Sequence, residues 1–280
     1  MTRYKHSYFT TEDKKQLYTQ EWIPEKEPAA VILYVHGLGS HGGRMDHWAE
    51  RFTARGLAFH TYDQRGHGKS DGKRGHPKHI SVLIRDVSTM VQSLRSRYPE
   101  KPVILYGHSL GGVVAINYVI STTFTADALI ASSPWLKLVN SPSKTELMLY
   151  QPLISLVPGL TVGNRLDPKD ISSDPEEVKK YTDDPLVHDK ISLGLVKSVF
   201  EAGNTALRNV YKINCPFLIM HGTGDRITSA RTSEEYVMNT SDRTQLTLFK
   251  GACHELHHET VRDEVFETIM EWLKKHKLAE

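Results

Sequence analysis

Val103-Ile104-Leu105-Tyr106-Gly107-His108-Ser109-Leu110-Gly111-Gly112 is the stretch on which the reading of this chain turns. Its first four residues form a short apolar run of strand character, and residues 111–120 continue as an apolar helix. Between them lies G-x-S-x-G, which puts Ser109 at the apex of a sharp strand-to-helix turn. Glycine at 107 and 111 suits that turn, because a Cβ would clash where the helix packs back on the strand. The turn lifts the serine oxygen out of the sheet, beside the free N–H groups and positive end of a helix, where an oxyanion can develop. The pentapeptide alone arises by chance in roughly one chain in ten of this length. The strand before it and the helix after it make it a nucleophile elbow.

Outward from the elbow, strands and helices alternate. Residues 5–22 have the pattern of an antiparallel hairpin turning at 11–14, and 29–35 is a continuous apolar run, as in a strand buried on both faces. A helix with Met45, Trp48, Ala49 and Phe52 on one face stops at Gly56, and 57–62 is the next strand. Ile80, Leu83, Ile84, Val87, Val91 and Leu94 mark a long amphipathic helix. After residues 128–131 the alternation breaks. Seven of the 13 prolines lie between 134 and 185, and the pattern resumes at Pro216 with strands at 217–221 and 245–249. The predicted architecture is a parallel sheet with helices on both faces, its core built from 1–134 and 206–280, with an insertion at 135–205.

A serine nucleophile needs a base, and the base needs an orienting carboxylate. In an open α/β sheet both belong just past the C-terminal ends of strands. The strand at 217–221 leads to Asp225, and that at 245–249 to His254, completing Ser, Asp and His in the chain order of α/β-hydrolases. Three other motifs compete. Gly37-Leu38-Gly39-Ser40-His41-Gly42 matches the dinucleotide fingerprint, with Asp63 where a ribose-binding acid would stand. The hydrolase reading uses the same loop, offering the Leu38 N–H to an oxyanion. His254-Glu255-Leu256-His257-His258 is a literal zinc-protease motif, with Glu264, Glu267 or Glu271 as further ligands. Against it, His257 and His258 are expected to be exposed at a helix start. Gly68-Lys69-Ser70 ends like a phosphate-binding loop but has Asp63 where that loop needs glycine.

A net charge of +2 is too small to make nucleic acid the principal partner, and no apolar run reaches the ~18 residues of a membrane span. No signal peptide is visible at the start, and the two cysteines form no ligand or redox motif, so the expected compartment is the cytoplasm. Residues 67–79 are basic and read as a solvated loop.

With these residues in hand, the chain resembles the monoglyceride lipase and lysophospholipase branch of the α/β-hydrolases, a serine aminopeptidase-like family. The matching segments are His36 to His41, Asp63-Gln64-Arg65-Gly66-His67-Gly68-Lys69-Ser70, the elbow, Gly222-Thr223-Gly224-Asp225-Arg226 and Gly251 to His257, with Asp184-Pro185-Leu186 near the end of the insertion. The resemblance implies the α/β-hydrolase fold, with a mostly parallel eight-stranded sheet and an inserted cap. It also implies Ser109, Asp225 and His254 as catalytic residues, and the Leu38 and Leu110 amides as oxyanion hole. The expected reaction is cofactor-free and metal-free hydrolysis of monoacylglycerols or similar single-chain lipid esters. Lysophospholipase, thioesterase and proline iminopeptidase chemistry remain as alternatives.

The charge-free stretch 147–162 is crowded with large apolar residues. The insertion point opens over the strand ends, so this stretch is expected to roof Ser109, with Leu147, Tyr150, Leu153 and Leu156 lining an acyl site. The surplus apolar side chains would touch a membrane surface at its mouth.

Overall fold

The computed structural model describes residues 2–122, 126–141, 144–240 and 242–279, with the backbone alone at 144 and 146–150. Strands β1 (Arg3–Thr10) and β2 (Gln16–Ile23) form the expected hairpin. Next come β3 (Val31–Val35), helix α1 (Asp46–Ala54), β4 (Ala58–Tyr62), α2 (Ile80–Arg97), β5 (Val103–His108), α3 (Leu110–Ser121) and β6 (Ala128–Ser132). The insertion contributes α4 (Lys144–Leu156), β7 (Thr161–Gly163), α5 (Pro175–Asp183), β8 (Lys190–Ser192) and α6 (Leu193–Arg208). The chain closes with β9 (Phe217–Gly222), α7 (Ala230–Val237), β10 (Thr244–Phe249) and α8 (Arg262–Lys275).

Eight strands form one sheet in the order β1-β2-β4-β3-β5-β6-β9-β10. The pairings of β2 with β1 and β4 are antiparallel, and the rest of the ladder is parallel. Strand alternation divides the core between the two faces. Val31, Leu33, Val103 and Leu105 meet α2, α3 and α6, while Ile32, Tyr34, Ile104 and Tyr106 meet α1 and α8. Because both faces are covered, β3 to β6 and β9 are buried along their whole length, which is why β3 reads as an unbroken apolar run.

Helix α3 is buried at every position from Leu110 to Ile120. A helix apolar all round can persist only between other layers, and α3 sits between the sheet and helices α2 and α6. Within the insertion, β7 and β8 pair with each other outside the main sheet. Helix α6 is different: Leu195, Val199, Ala202 and Ala206 join the main core. No helix among the described residues is long and apolar enough to cross a membrane.

Candidate active site

Ser109 joins β5 to α3 with φ of 52° and ψ of −114°, a left-handed conformation that a non-glycine residue adopts at a cost. The surroundings enforce it. Ser109 N–H donates to the Ser132 carbonyl at 3.0 Å, and its own carbonyl accepts from Val113 and Trp135 at 3.1 and 3.0 Å. A Cβ at Gly107 would lie 2.3 Å from the Gly111 carbonyl, and one at Gly111 would lie 2.0 Å from that of Val35. Both glycines are required by backbone contact, so the elbow has the form expected from its sequence.

The loop after β3 runs beside it. A Cβ on Gly37 would stand 3.3 Å from that of Ser109, so the Gly37–Leu38 backbone passes alongside the serine. Leu110 is the first residue of α3, where an N–H has no acceptor within the helix. His36 braces this loop: its Nε2 accepts from Gln64 N–H at 2.8 Å while its Nδ1 donates to the Gly37 carbonyl at 2.8 Å. Burial lowers the His36 pKa to about 4, so the ring stays neutral in these roles.

The loops after β9 and β10 meet backbone to backbone. A Cβ on Gly222 would fall 2.1 Å from the Ala252 carbonyl, and Gly224 N–H donates to that carbonyl at 2.9 Å. This contact brings Asp225 to His254, whose Nδ1 donates to Asp225 Oδ2 at 2.7 Å. The His254 carbonyl accepts from Ser133 Oγ at 2.8 Å, which holds the loop. Burial alone would lower the His254 imidazole, but the Asp225 charge and hydrogen bond outweigh it and hold it above its ordinary value. Burial would also raise Asp225, yet His254 and His221 keep it far below the usual carboxylate range. An imidazole held this way by Nδ1 has Nε2 left to take a proton from a hydroxyl.

Ser109 and His254 share the wall of a cavity of about 600 Å³. Its lining is mostly apolar, with Leu38, Trp135, Leu138 and Phe200 among the walls. Leu153 lies in its wall. Leu156 does not: it is 80% exposed, a correction that helix geometry explains. The inward residue of α4 is the buried Ile154, and two positions later the side chain has swung about 200° away. The side chains of Leu147 and Tyr150 lie outside the described residues. Trp135, Val196 and Phe200 were missed by the sequence reading, having no local signal beyond apolarity.

The competing motifs resolve into scaffold. Asp63 accepts from Gly42 N–H at 2.8 Å and Lys69 N–H at 2.7 Å, and Ser70 Oγ donates to its carbonyl at 2.5 Å. The acid placed like a ribose ligand thus ties the 63–70 loop to the loop after β3. Arg65 joins Asp86 at 2.6 Å and Asp13 at 2.7 Å, fastening the same loop to α2 and the hairpin turn. Gly66 and Gly68 take φ of 74° and 48°, which accounts for the two glycines of that motif.

His257 and His258, expected to be exposed, are buried at 1% and 5%. His257 Nε2 meets the Tyr106 hydroxyl at 2.5 Å within a cage of Tyr34, Trp48 and His108. His258 Nδ1 donates to Glu255 at 2.8 Å, and Arg44 donates to the same carboxylate at 2.6 Å. Arg44 and His258 outweigh burial and drive the Glu255 pKa well below its ordinary value. The motif lies on a short 3-10 turn, and its histidines face different partners, so it does not present the single helical face a zinc protease needs.

The comparisons with known proteins agree with this geometry. A profile of the family Hydrolase_4, "Serine aminopeptidase, S33", matches residues 26–261. The chain belongs to that family. It is 31% identical over 277 residues to a monoacylglycerol lipase of Mycolicibacterium smegmatis, covering 98% of each chain. It is 34% identical over 273 residues to an uncharacterized abhydrolase domain-containing protein of Dictyostelium discoideum, of which it spans 29%. A crystal structure of Paleococcus ferrophilus monoacylglycerol lipase superposes with a TM-score of 0.85 at 33% identity, covering 93% of this chain and 99% of that one. The fold is that of the α/β-hydrolases, and the protein is a hydrolase of the carboxylic-ester class.

Proposed function

We propose that this hydrolase cleaves monoacylglycerols or closely similar single-chain lipid esters. Ser109 attacks the ester carbonyl, His254 takes the serine proton and returns it to the leaving alcohol, and Asp225 holds the imidazolium that forms. The Leu38 and Leu110 amides receive the oxyanion. Water, activated by the same histidine, then releases the fatty acid from the acyl-enzyme. No step asks for a cofactor.

The observation that carries this reading is the apolar cavity with Ser109 and His254 in its wall, beneath residues of the insertion. An acyl chain needs such a lining, and a headgroup needs a small polar region beside the scissile bond. Glu255, Tyr181 and Ser40 supply one on the same wall. Hydroxyls there suit a hydroxyl-bearing neutral headgroup such as that of a monoacylglycerol, while the Glu255 charge is already taken up by Arg44 and His258.

The cap in this proposal is the inserted chain ahead of α6, since α6 packs with the core. Leu153, Leu156, Val157, Leu160 and Val162 are exposed there, which supports transient contact of the cap with a lipid surface. The free thiols of Cys215 and Cys253 suit a cytoplasmic enzyme peripheral to membranes.

The test is a fluorophosphonate probe followed by peptide mapping, and kcat/KM for monoacylglycerols of rising chain length. Label on Ser109 is expected, with kcat/KM climbing several-fold per added methylene, at up to ~0.8 kcal/mol each, until the cavity is full. Label elsewhere overturns the mechanism, and a flat length profile overturns the acyl site.

A further inference from the structure

Asp225 is shared between two histidines. His221 lies near the end of β9, fully buried, with Nε2 3.0 Å from Asp225 Oδ2, the oxygen that accepts from His254. The same Nε2 lies 3.2 Å from the Thr228 carbonyl. A carboxylate and a carbonyl can only accept, so Nε2 must carry the proton. In the neutral ring, His221 Nδ1 accepts from the hydroxyl of Ser233, buried in the first turn of α7, at 2.9 Å. Both ring nitrogens are committed, and the tautomer is set by its neighbours.

We propose that His221 is a positioning residue for the hydrolytic reaction, acting on His254 through the acceptor they share. The proposal rests on the Ser109-His254-Asp225 reading above. Asp225 Oδ1 accepts from Ile227 N–H at 2.7 Å and Thr228 N–H at 3.0 Å. Asp225 Oδ2 takes Thr228 Oγ1 at 2.7 Å together with the two imidazoles. The Oδ1 donors fix one end of the carboxylate, and His221 with Thr228 fix the other, leaving Oδ2 turned to His254 Nδ1. Each donor also draws charge from the carboxylate and so tempers how tightly His254 holds its proton.

Loss of His221 therefore has two consequences. The carboxylate is less firmly oriented, which lowers kcat. Its remaining charge falls more heavily on His254, which moves the acidic limb of the pH profile upward. The titratable groups facing His254 are Asp225, His108 on β5 with ring centroids 4.8 Å apart, and Glu255 beside it in the chain. The substitution leaves all three in place.

The experiment compares His221→Leu, His221→Gln and Ser233→Ala with the parent enzyme, measuring kcat and the pH profile of kcat/KM on a soluble short-chain ester. His221→Leu is expected to lose roughly ten- to a hundredfold in kcat, the scale of a lost orienting partner. Its acidic limb should rise by about half a unit. His221→Gln, whose amide N–H reaches the same place as Nε2, should restore both. Ser233→Ala should shift the limb less, in the same direction, and it tests the idea even if His221→Leu does not fold. Unchanged kcat and limb in these variants, or a glutamine that behaves like leucine, overturns the proposal. So does an Nδ1–H tautomer of His221 in nitrogen-detected NMR of the parent. An active Asp225→Asn would overturn the triad reading and this inference together. An inactive Asp225→Asn beside a His221→Leu with an unshifted profile overturns this inference alone.

Discussion

Ser109, Asp225 and His254 stand at the ends of β5, β9 and β10, each buried to below 9% exposure; backbone hydrogen bonds tie Ser109 and His254 to neighbouring loops, and Asp225 N–H closes its own loop on Gly222. Across the cavity, residues 153–163 present Leu153, Leu156, Leu160 and Val162 with large exposed surfaces. The floor is held by directional contacts: carbonyls that would collide with any Cβ at Gly107, Gly111 or Gly222, and carboxylates that collect several donors. The roof is tied down at its base by backbone hydrogen bonds, Leu193 to Leu160 and Gly194 to Pro158, but toward the cavity it presents apolar side chains packed through residues such as Ile154 and Ile191. Directional contacts fix atoms to fractions of an ångström, as proton transfer requires. Apolar contacts fix volume and polarity, which is all an acyl chain requires. On the proposed mechanism, the same contrast separates residues whose replacement stops the chemistry from residues whose replacement retunes it.

The largest expected effect is on the floor. Ser109→Ala should lose at least ~10⁴ in kcat with an unchanged melting temperature, as triad losses do. Asp225→Asn should follow with a loss of up to ~10⁴, because an amide permits the wrong His254 tautomer. Should Asp63→Asn produce that loss while Asp225→Asn does not, the acid has been misassigned.

Acid should attack the floor before the roof. His36 and His60 have pKa values lowered to about 4 by burial, and His108 to about 3. The unfolded chain protonates these rings below about pH 6.5, while the fold keeps them neutral. Stability is therefore full above about 6.5 and is lost as pH falls toward about 4. His36 and His60 contribute up to about 3 kcal/mol each across that window. The segment 144–163 holds no histidine. Melting curves at about pH 7.5 and about pH 4.5 should show the whole-protein transition falling steeply. A flat dependence would contradict the burial of these rings.

The smallest expected effect lies on the roof. Leu156→Ser should leave hydrolysis of a soluble short ester unchanged and lower the rate on lipid vesicles by about two- to fivefold, as one exposed side chain leaves the interface. Equal losses on both substrates would place Leu156 in the cavity after all.

The floor was legible in the sequence because its signals are local. A glycine two residues either side of a serine, or an acid just past an apolar run, states a backbone geometry within a few positions. The errors arose where burial depends on partners far along the chain. His257 and His258 looked like exposed polar residues, and what buries them is Tyr106 and Arg44, more than 150 residues away. Leu156 looked like a pocket residue because composition does not say which way the last turn of a helix faces. The 63–70 motif marked a family, yet its work as a brace between the hairpin, α2 and the loop after β3 emerged only with its hydrogen bonds.

By itself, then, the sequence determined the order of strands and helices outside the insertion, the elbow, and which serine, acid and base would stand at strand ends, since each follows from short-range sterics and alternation. Tertiary structure decided that Asp225 meets both His221 and His254, that Glu255 carries Arg44 rather than a metal, and which inserted residues face the cavity. Apart from the four-residue step from His221 to Asp225, these are contacts between segments far apart in the chain, and they are chosen by how the loops after β3, β9 and β10 pack together, a choice no local pattern encodes.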